Sequence, residues 1–160
     1  MTINRQILMK TRPVGMPTIE NFEIAESNIP EARHGEVLIK ILWLSLDPYM
    51  RGRMSKAKSY AASINEGDLI VGGAVGEVIN SHTPEYKKGD IVEGFTLGWQ
   101  EYAIANPTSI RKINPDIAPI QTAVGVLGMP GMTAFFGLLH VGKPIPGDTV
   151  VVSAASGAVG

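Results

Sequence analysis

"GEVLIKILWLSL", Gly35 to Leu46, sets the class of this protein. Val37, Ile39, Ile41 and Trp43 share one parity, as the pleat of a strand requires. The other parity is mostly apolar as well, which predicts a strand covered on both faces. Towards the N-terminus, "RQILMK" (Arg5 to Lys10) alternates more loosely and predicts a first strand. Towards the C-terminus, "LIVGGAVGEVIN" (Leu69 to Asn80) predicts another, with glycines inside it that mark a bulge, a bend or a close backbone approach. "GDIVEGF" (Gly89 to Phe95), "WQEYAIA" (Trp99 to Ala105) and "SIRKI" (Ser109 to Ile113) follow at short spacings. Short strands separated by turn residues predict a small β-barrel or sandwich up to about residue 115.

Beyond Asn114 the texture changes. Pro119 suits a first helical turn, where its missing N–H does no harm. "GMTAFFGLLHVG" predicts a short helix over Met132 to His140, stopped by Gly142. "LGMPG" (Leu127 to Gly131) interrupts what would otherwise be one helix. "TVVV" (Thr149 to Val152) then predicts a buried strand, followed by a glycine turn. "KKGDIV" and "IPGDTV" both place Gly-Asp before an apolar run, where glycine permits the turn and aspartate bonds back to the backbone.

Composition narrows the function. The chain has 160 residues, 44% of them hydrophobic and 18% charged, as an ordinary globular protein does. Fourteen Lys and Arg against 15 Asp and Glu leave no basic face for nucleic acid or an acidic membrane. No apolar run approaches a membrane span, and "MTINRQILMK" lacks a signal-peptide core. With no cysteine, disulfides and thiolate metal sites are excluded. The plain expectation is a cytoplasmic protein.

Two stretches carry candidate chemistry. The dinucleotide fingerprint needs small residues for a tight turn, for approach to the pyrophosphate and for helix–strand packing. Here Ala155-Ser156-Gly157-Ala158-Val159-Gly160 keeps the second and third glycines and has alanine at the first. Phosphate would sit on the backbone N–H groups of a helix start; the alternative is a plain structural turn. "SLDPYMRGRM" (Ser45 to Met54) also has two readings. In one, Asp47 caps a helix, Pro48 opens it, and Arg51 and Arg53 are solvated. In the other, the stretch walls a substrate pocket and Tyr49 donates a hydrogen bond. His34, His82 and His140 lie too far apart in sequence to suggest a metal site, and no G-x-S-x-G nucleophile turn is present. His140 is expected to complement a helix C-terminus.

The stretches "LSLDPYMRGRM", "VGGAVGEVI", "KKGDIV", "WQEYAIA", "LGMPGMTAFFGLL" and "GKPIPGDTVVVSAASGAVG", in this order, resemble the medium-chain dehydrogenase/reductase superfamily. They are most similar to its zinc-independent branch of prostaglandin reductases, leukotriene dehydrogenases, alkenal double-bond reductases and curcumin reductases. "DPYMRGRM" and "GMPGMTA" are the more specific motifs; the glycine turn, with Ala154 opening its A-x-x-G-x-x-G form, is shared by the wider superfamily.

The resemblance implies a mainly β fold: a GroES-like β-barrel domain over residues 1–118, then, over 119–160, a helical connector and the first strand of a truncated Rossmann domain. It implies an N-terminal fragment, itself inactive, of an NADPH-dependent enzyme that reduces the C=C bond of α,β-unsaturated ketones or aldehydes without zinc. Tyr49 is then catalytic, donating to the enolate oxygen. Met129 and Thr133 face the nicotinamide, and Gly157, Ala158, Val159 and Gly160 hold the pyrophosphate. The implied partners are NADP(H) and a small enone or enal; homo-oligomerisation stays open. A non-catalytic GroES-like binding or scaffold domain is the alternative.

Overall fold

A computed structural model describes residues 3–160. Its β1 (Ile3–Met9) and β2 (Phe22–Asn28) form an antiparallel ribbon. The remaining strands are β3 (Val37–Leu44), β4 (Ala74–Ser81), β5 (Ile91–Gly94), β6 (Tyr102–Ala105) and β7 (Ile110–Lys112). They form one antiparallel sheet in the order β6-β3-β4-β5-β7. Backbone hydrogen bonds tie the ribbon to the loops beside this sheet. Ile7 N–H donates to the Trp99 carbonyl at 2.8 Å, and Ile70 N–H donates to the Ile7 carbonyl at 2.9 Å. The mainly β GroES-like class therefore holds, built as a five-stranded sheet with a ribbon fastened to it.

Two apolar clusters fill the interior. One joins Val37, Ile39, Val78, Val92 and Leu97 across the sheet. The other joins Met9, Met54, Ile64 and Ile70 beneath the ribbon, with Phe22 stacked on Trp99 at 6.0 Å. Asn4, buried at the ribbon edge, acts like a strand residue through its side chain. Its Nδ2 donates to the Tyr102 carbonyl at 3.0 Å, and its Oδ1 accepts from Tyr102 N–H at 2.9 Å.

Several sequence expectations need correction. β3 is covered on both faces only at Val37–Ile39; Leu42, Trp43 and Leu44 are exposed. Its register against β4 slips between Ile41 and Trp43, so Leu42 is an extra residue that breaks the expected parity. The predicted strand over Leu69–Asn80 is regular only from Ala74, and the one over Trp99–Ala105 only from Tyr102. Gly72 lies before β4, where a Cβ would stand 2.9 Å from Trp99 Nε1 and 3.0 Å from the Met50 methyl. Its glycine makes room for those two side chains.

The helical part also differs. α1 (Pro48–Arg53) follows the sequence, with Asp47 at the N-cap position and Pro48 opening it. Pro119 precedes a short 3-10 turn, Ile120–Val124. "LGMPG" starts a helix and does not interrupt one: α2 (Met129–Phe135) is entered through Gly128 and Pro130. α2 then widens into a π-helical segment, Phe136–Gly142. The left-handed residue that ends it is Lys143 (φ 50°), one beyond the expected Gly142. His140 stands in the last turn of that segment, as expected, with its ring 4.9 Å from the Phe136 ring. Thr149–Val152 is not a strand. It has no ladder partner among the described residues, and Val151 is 88% exposed. An apolar run becomes a strand only when a neighbour takes its backbone hydrogen bonds.

Candidate functional site

The site begins where β3 hands over to α1. Ser45 N–H donates to the Gly73 carbonyl at 2.9 Å, which fixes the exit of β3 against the start of β4. The Ser45 hydroxyl donates to Asp47 Oδ2 at 2.5 Å. That bond occupies the carboxylate, so Asp47 holds the N-cap position without capping a helix N–H through its side chain. Pro48 then sets the first turn of α1, and Tyr49 projects half-buried into the gap between Gly73, Phe95 and Met129.

This gap keeps the Tyr49 phenol protonated. Burial raises its pKa, the nearby Asp47 charge raises it further, and the Gly73 N–H directed at the phenol opposes both. A phenol kept neutral is a hydrogen-bond donor. Neither arginine is simply solvated, which corrects the expectation for both. Arg51 donates to the Gly15 carbonyl at 2.8 Å and to the Pro13 carbonyl at 3.2 Å, tying the loop after β1 to α1. Arg53 has its Nε buried without a hydrogen-bond partner.

The second wall is α2. Gly128 and Gly131 let its first turn settle onto the backbone before it. A Cβ on Gly128 would meet the Ala123 carbonyl, and one on Gly131 would meet the Val126 carbonyl. Met129 consequently lines the narrow gap beside Tyr49 and also a cavity of about 570 Å³ that it shares with Thr133, Phe95 and Phe136. Thr133 faces that cavity, but its hydroxyl donates to the Met129 carbonyl at 2.8 Å, back into its own helix.

A third cavity, of about 730 Å³, brings Thr133 together with Gly157, Ala158, Val159 and Gly160; Pro48 also reaches it. Its size suits a small-molecule group. The glycine turn has the tightness that the fingerprint needs. Gly157 N–H donates to the Ala154 carbonyl at 2.8 Å, and Ala154 is left-handed at φ 50°. A Cβ on Gly160 would stand 2.5 Å from the Ala154 oxygen and 2.7 Å from the Ala155 Cα, so only glycine fits. These residues therefore fit a nucleotide phosphate loop. Tyr49 is not in this cavity; Thr133 and Met129 link its surroundings to those of the turn.

Sequence reasoning missed one residue here. Glu93, in β5, is 3% exposed and lines both the Tyr49 gap and the 570 Å³ cavity. Arg111 Nε on β7 stands 2.5 Å from its Oε2. Burial raises the Glu93 pKa, and Arg111 offsets part of that rise. No group of three or more His, Cys, Asp or Glu among the described residues could hold a metal ion.

Residues 5–113 match the family described as the N-terminal domain of oxidoreductase. The NADPH-dependent curcumin reductase of Escherichia coli is 44% identical over 157 residues, covering 98% of this chain and 45% of that protein.

 The 2-alkenal reductase (NADP(+)-dependent) of Nicotiana tabacum is 45% identical over 163 residues, covering 98% of this chain and 47% of that protein. The crystal structure of CurA from Vibrio vulnificus in complex with NADPH superposes with a TM-score of 0.89 at 48% identity, over 97% of this chain and 46% of that one. The chain thus spans about half the length of the relatives it matches. The resemblance drawn from the motifs, to the zinc-independent medium-chain reductases, holds. With more than half of its residues matched, the chain belongs to the family of the oxidoreductase N-terminal domain.

Proposed function

We propose that this chain supplies the first half of an NADPH-dependent reductase acting on the C=C bond of α,β-unsaturated ketones or aldehydes. The observation that carries the reading is Tyr49: a half-buried phenol, kept protonated, in a gap walled by Met129 and Gly73. The names of the similar proteins, a curcumin reductase and a 2-alkenal reductase, support the substrate class. NADPH, when bound, supplies the hydride. The roles of this chain's residues follow from where they stand. Tyr49 donates to the carbonyl oxygen of the substrate, where negative charge develops as the β-carbon is reduced. Gly157, Ala158, Val159 and Gly160 offer the tight turn on which a pyrophosphate rests. Met129 and Thr133 pack beside the nicotinamide, with Thr133 contributing surface while its hydroxyl stays bonded to its helix. The division into a barrel domain, 1–118, and the start of a nucleotide-binding domain, 119–160, belongs to the same proposal; the family match ending at residue 113 supports it.

The test is turnover in the full-length protein, followed by NADPH absorbance with an enone. Tyr49→Phe removes the hydroxyl and keeps the ring. Turnover is expected to fall by ~10- to 1,000-fold, the upper end being the loss of one oxyanion donor, with NADPH affinity unchanged. Undiminished turnover in the Phe variant would return Tyr49 to a packing role at the start of α1. A non-catalytic binding domain is favoured by one observation, the Thr133 hydroxyl already committed to the Met129 carbonyl. Nucleotide binding without reduction of any enone would establish that second reading.

A further inference from the structure

Arg12 spends its guanidinium on two backbone carbonyls. Nη1 donates to Met54 at 3.0 Å, and Nη2 donates to Ile64 at 2.7 Å. The side chain is half-buried, and among the described residues no carboxylate pairs with it. Met54 closes α1, its N–H donating to the Met50 and Arg51 carbonyls at 3.2 Å. Its own carbonyl is one of the orphans that a helix end leaves, and a cation is the favourable partner there. Ile64 is the far foot of the loop that follows α1, and its N–H donates to the Arg53 carbonyl at 2.9 Å. Met54 and Ile64 both bury their side chains in the cluster beneath the ribbon. One guanidinium thus joins the two feet of loop 55–63. Arg51 returns the link, through the Pro13 and Gly15 carbonyls. α1 is too short to hold itself as a helix, so these contacts fix the element that carries Tyr49.

Between its feet the loop is built differently. It is rich in small residues, Ala57, Ser59, Ala61, Ala62 and Ser63. Over residues 56–63 the one hydrogen bond among the described residues runs from Ala57 N–H to Ser55 Oγ at 3.1 Å. Tyr60, near the tip, is 88% exposed. Burial and the Asp47 charge raise the Tyr49 pKa, and Tyr60 adds to the rise, so the tip stands within electrostatic range of the Tyr49 phenol. Firm feet and a loosely bonded span are what a moving cover needs. We infer that loop 55–63 closes over the Tyr49 site when substrate binds, with Arg12 as the positioning residue that clamps its feet. The inference rests on the enone reading, which makes Tyr49 the site.

The experiment is limited trypsin digestion of the full-length protein, with cutting at each site read by mass spectrometry. Lys56 and Lys58 report on the loop; Lys87 and Lys88, exposed between β4 and β5, are the control. The probe is 4-phenylbut-3-en-2-one with NADP+, a pair that binds without turnover, compared with NADP+ alone. At about ten times its dissociation constant the enone should slow cutting at Lys56 and Lys58 about 10-fold, because only the open loop is cut. The control sites should not change. Arg12→Met keeps the stem and removes the donors. Without ligand it should speed cutting at the loop sites about 10-fold or more, with the control unchanged, and raise KM for the enone more than it lowers kcat. Arg12→Lys, which reaches one carbonyl at a time, should fall between. Loop sites that bound enone leaves unprotected, or cutting in Arg12→Met that is unchanged or rises equally at loop and control, would each overturn the inference. If Arg12→Met does not fold, protection in the wild type decides. If no enone is bound or reduced, the enone reading fails, and Arg12 is still judged by cutting without ligand.

Discussion

Arg111→Met isolates what the ion pair does for the fold. Arg111 is 56% exposed and Glu93 3%, with 2.5 Å between Nε and Oε2. At that separation, water-like screening gives an attraction of about 2 kcal/mol, and a protein-like effective dielectric gives about 7. Because the guanidinium is more than half in solvent, the lower figure is the appropriate one. Methionine keeps the aliphatic packing of the arginine stem, so a loss of about 2 kcal/mol is expected at about pH 7. The loss should depend on pH in one direction. Glu93 already has a raised pKa on folding, from burial first. A carboxyl of this kind contributes stability that is full below its unfolded pKa and is lost as pH rises through the folded value. Without Arg111 the folded pKa is higher still, so the variant goes on losing stability after the wild type has levelled off. The gap between the two proteins should therefore be near zero at about pH 4 and wider at about pH 7. Urea titrations of both proteins at the two pH values measure it. A gap that is the same at both, or larger in acid, would refute the electrostatic account and leave Arg111 as a packing residue.

Asn4→Ala should cost about 2 kcal/mol, because the Tyr102 N–H and carbonyl that Asn4 serves would both be left short of a partner in a buried place. A shifted urea midpoint at unchanged slope is the expected record. Gly128→Ala should cost about 3 kcal/mol or more: the new Cβ would stand 2.8 Å from the Ala123 carbonyl carbon and 3.3 Å from the Val124 Cα, and backbone cannot give way as a side chain can. Thermal melting checks it, and an unchanged midpoint would mean that α2 need not enter so close.

Turn chemistry was the most legible layer of the sequence, and the structure extends it. The two Gly-Asp echoes make the same turn: Asp90 accepts from Lys87 N–H at 2.9 Å and Asp148 from Ile145 N–H at 2.8 Å. Gly89 and Gly147 sit at φ 91° and 99°. Asn65-Glu66-Gly67-Asp68 builds a third copy, with Asp68 accepting from Asn65 N–H at 2.9 Å. Arg33-His34-Gly35-Glu36 builds a fourth, with Glu36 in the place of Asp. Each is decided within four residues, which is why a local reading finds such turns. Strand limits were less legible. The bulge at Leu42 and the late start of β4 arise from how β3 and β4 cross, and Gly76 records that crossing. A Cβ there would stand 2.5 Å from the Lys40 carbonyl oxygen, a contact no local pattern announces.

The site divides along the same line. Tyr49 could be singled out because Asp47 and Pro48 fix the helix start that carries it, all within a few residues. Glu93 could not. Parity puts it opposite Val92 and so, by local reasoning, in solvent. Its burial depends on residues 120–130 docking on that face, and their docking depends on Gly128 and Gly131 lying against the Ala123 and Val126 carbonyls. In the sequence those glycines looked like an interruption of a helix. In the fold they are the condition for its entry, because a side chain at either would lift α2 away from β5 and open Glu93 to water. A carboxylate in an apolar cavity is thus a tertiary product of two glycines more than thirty residues downstream. Any substitution that lifts α2 should relax the pKa of Glu93 towards its ordinary range, since burial is the largest cause of its rise.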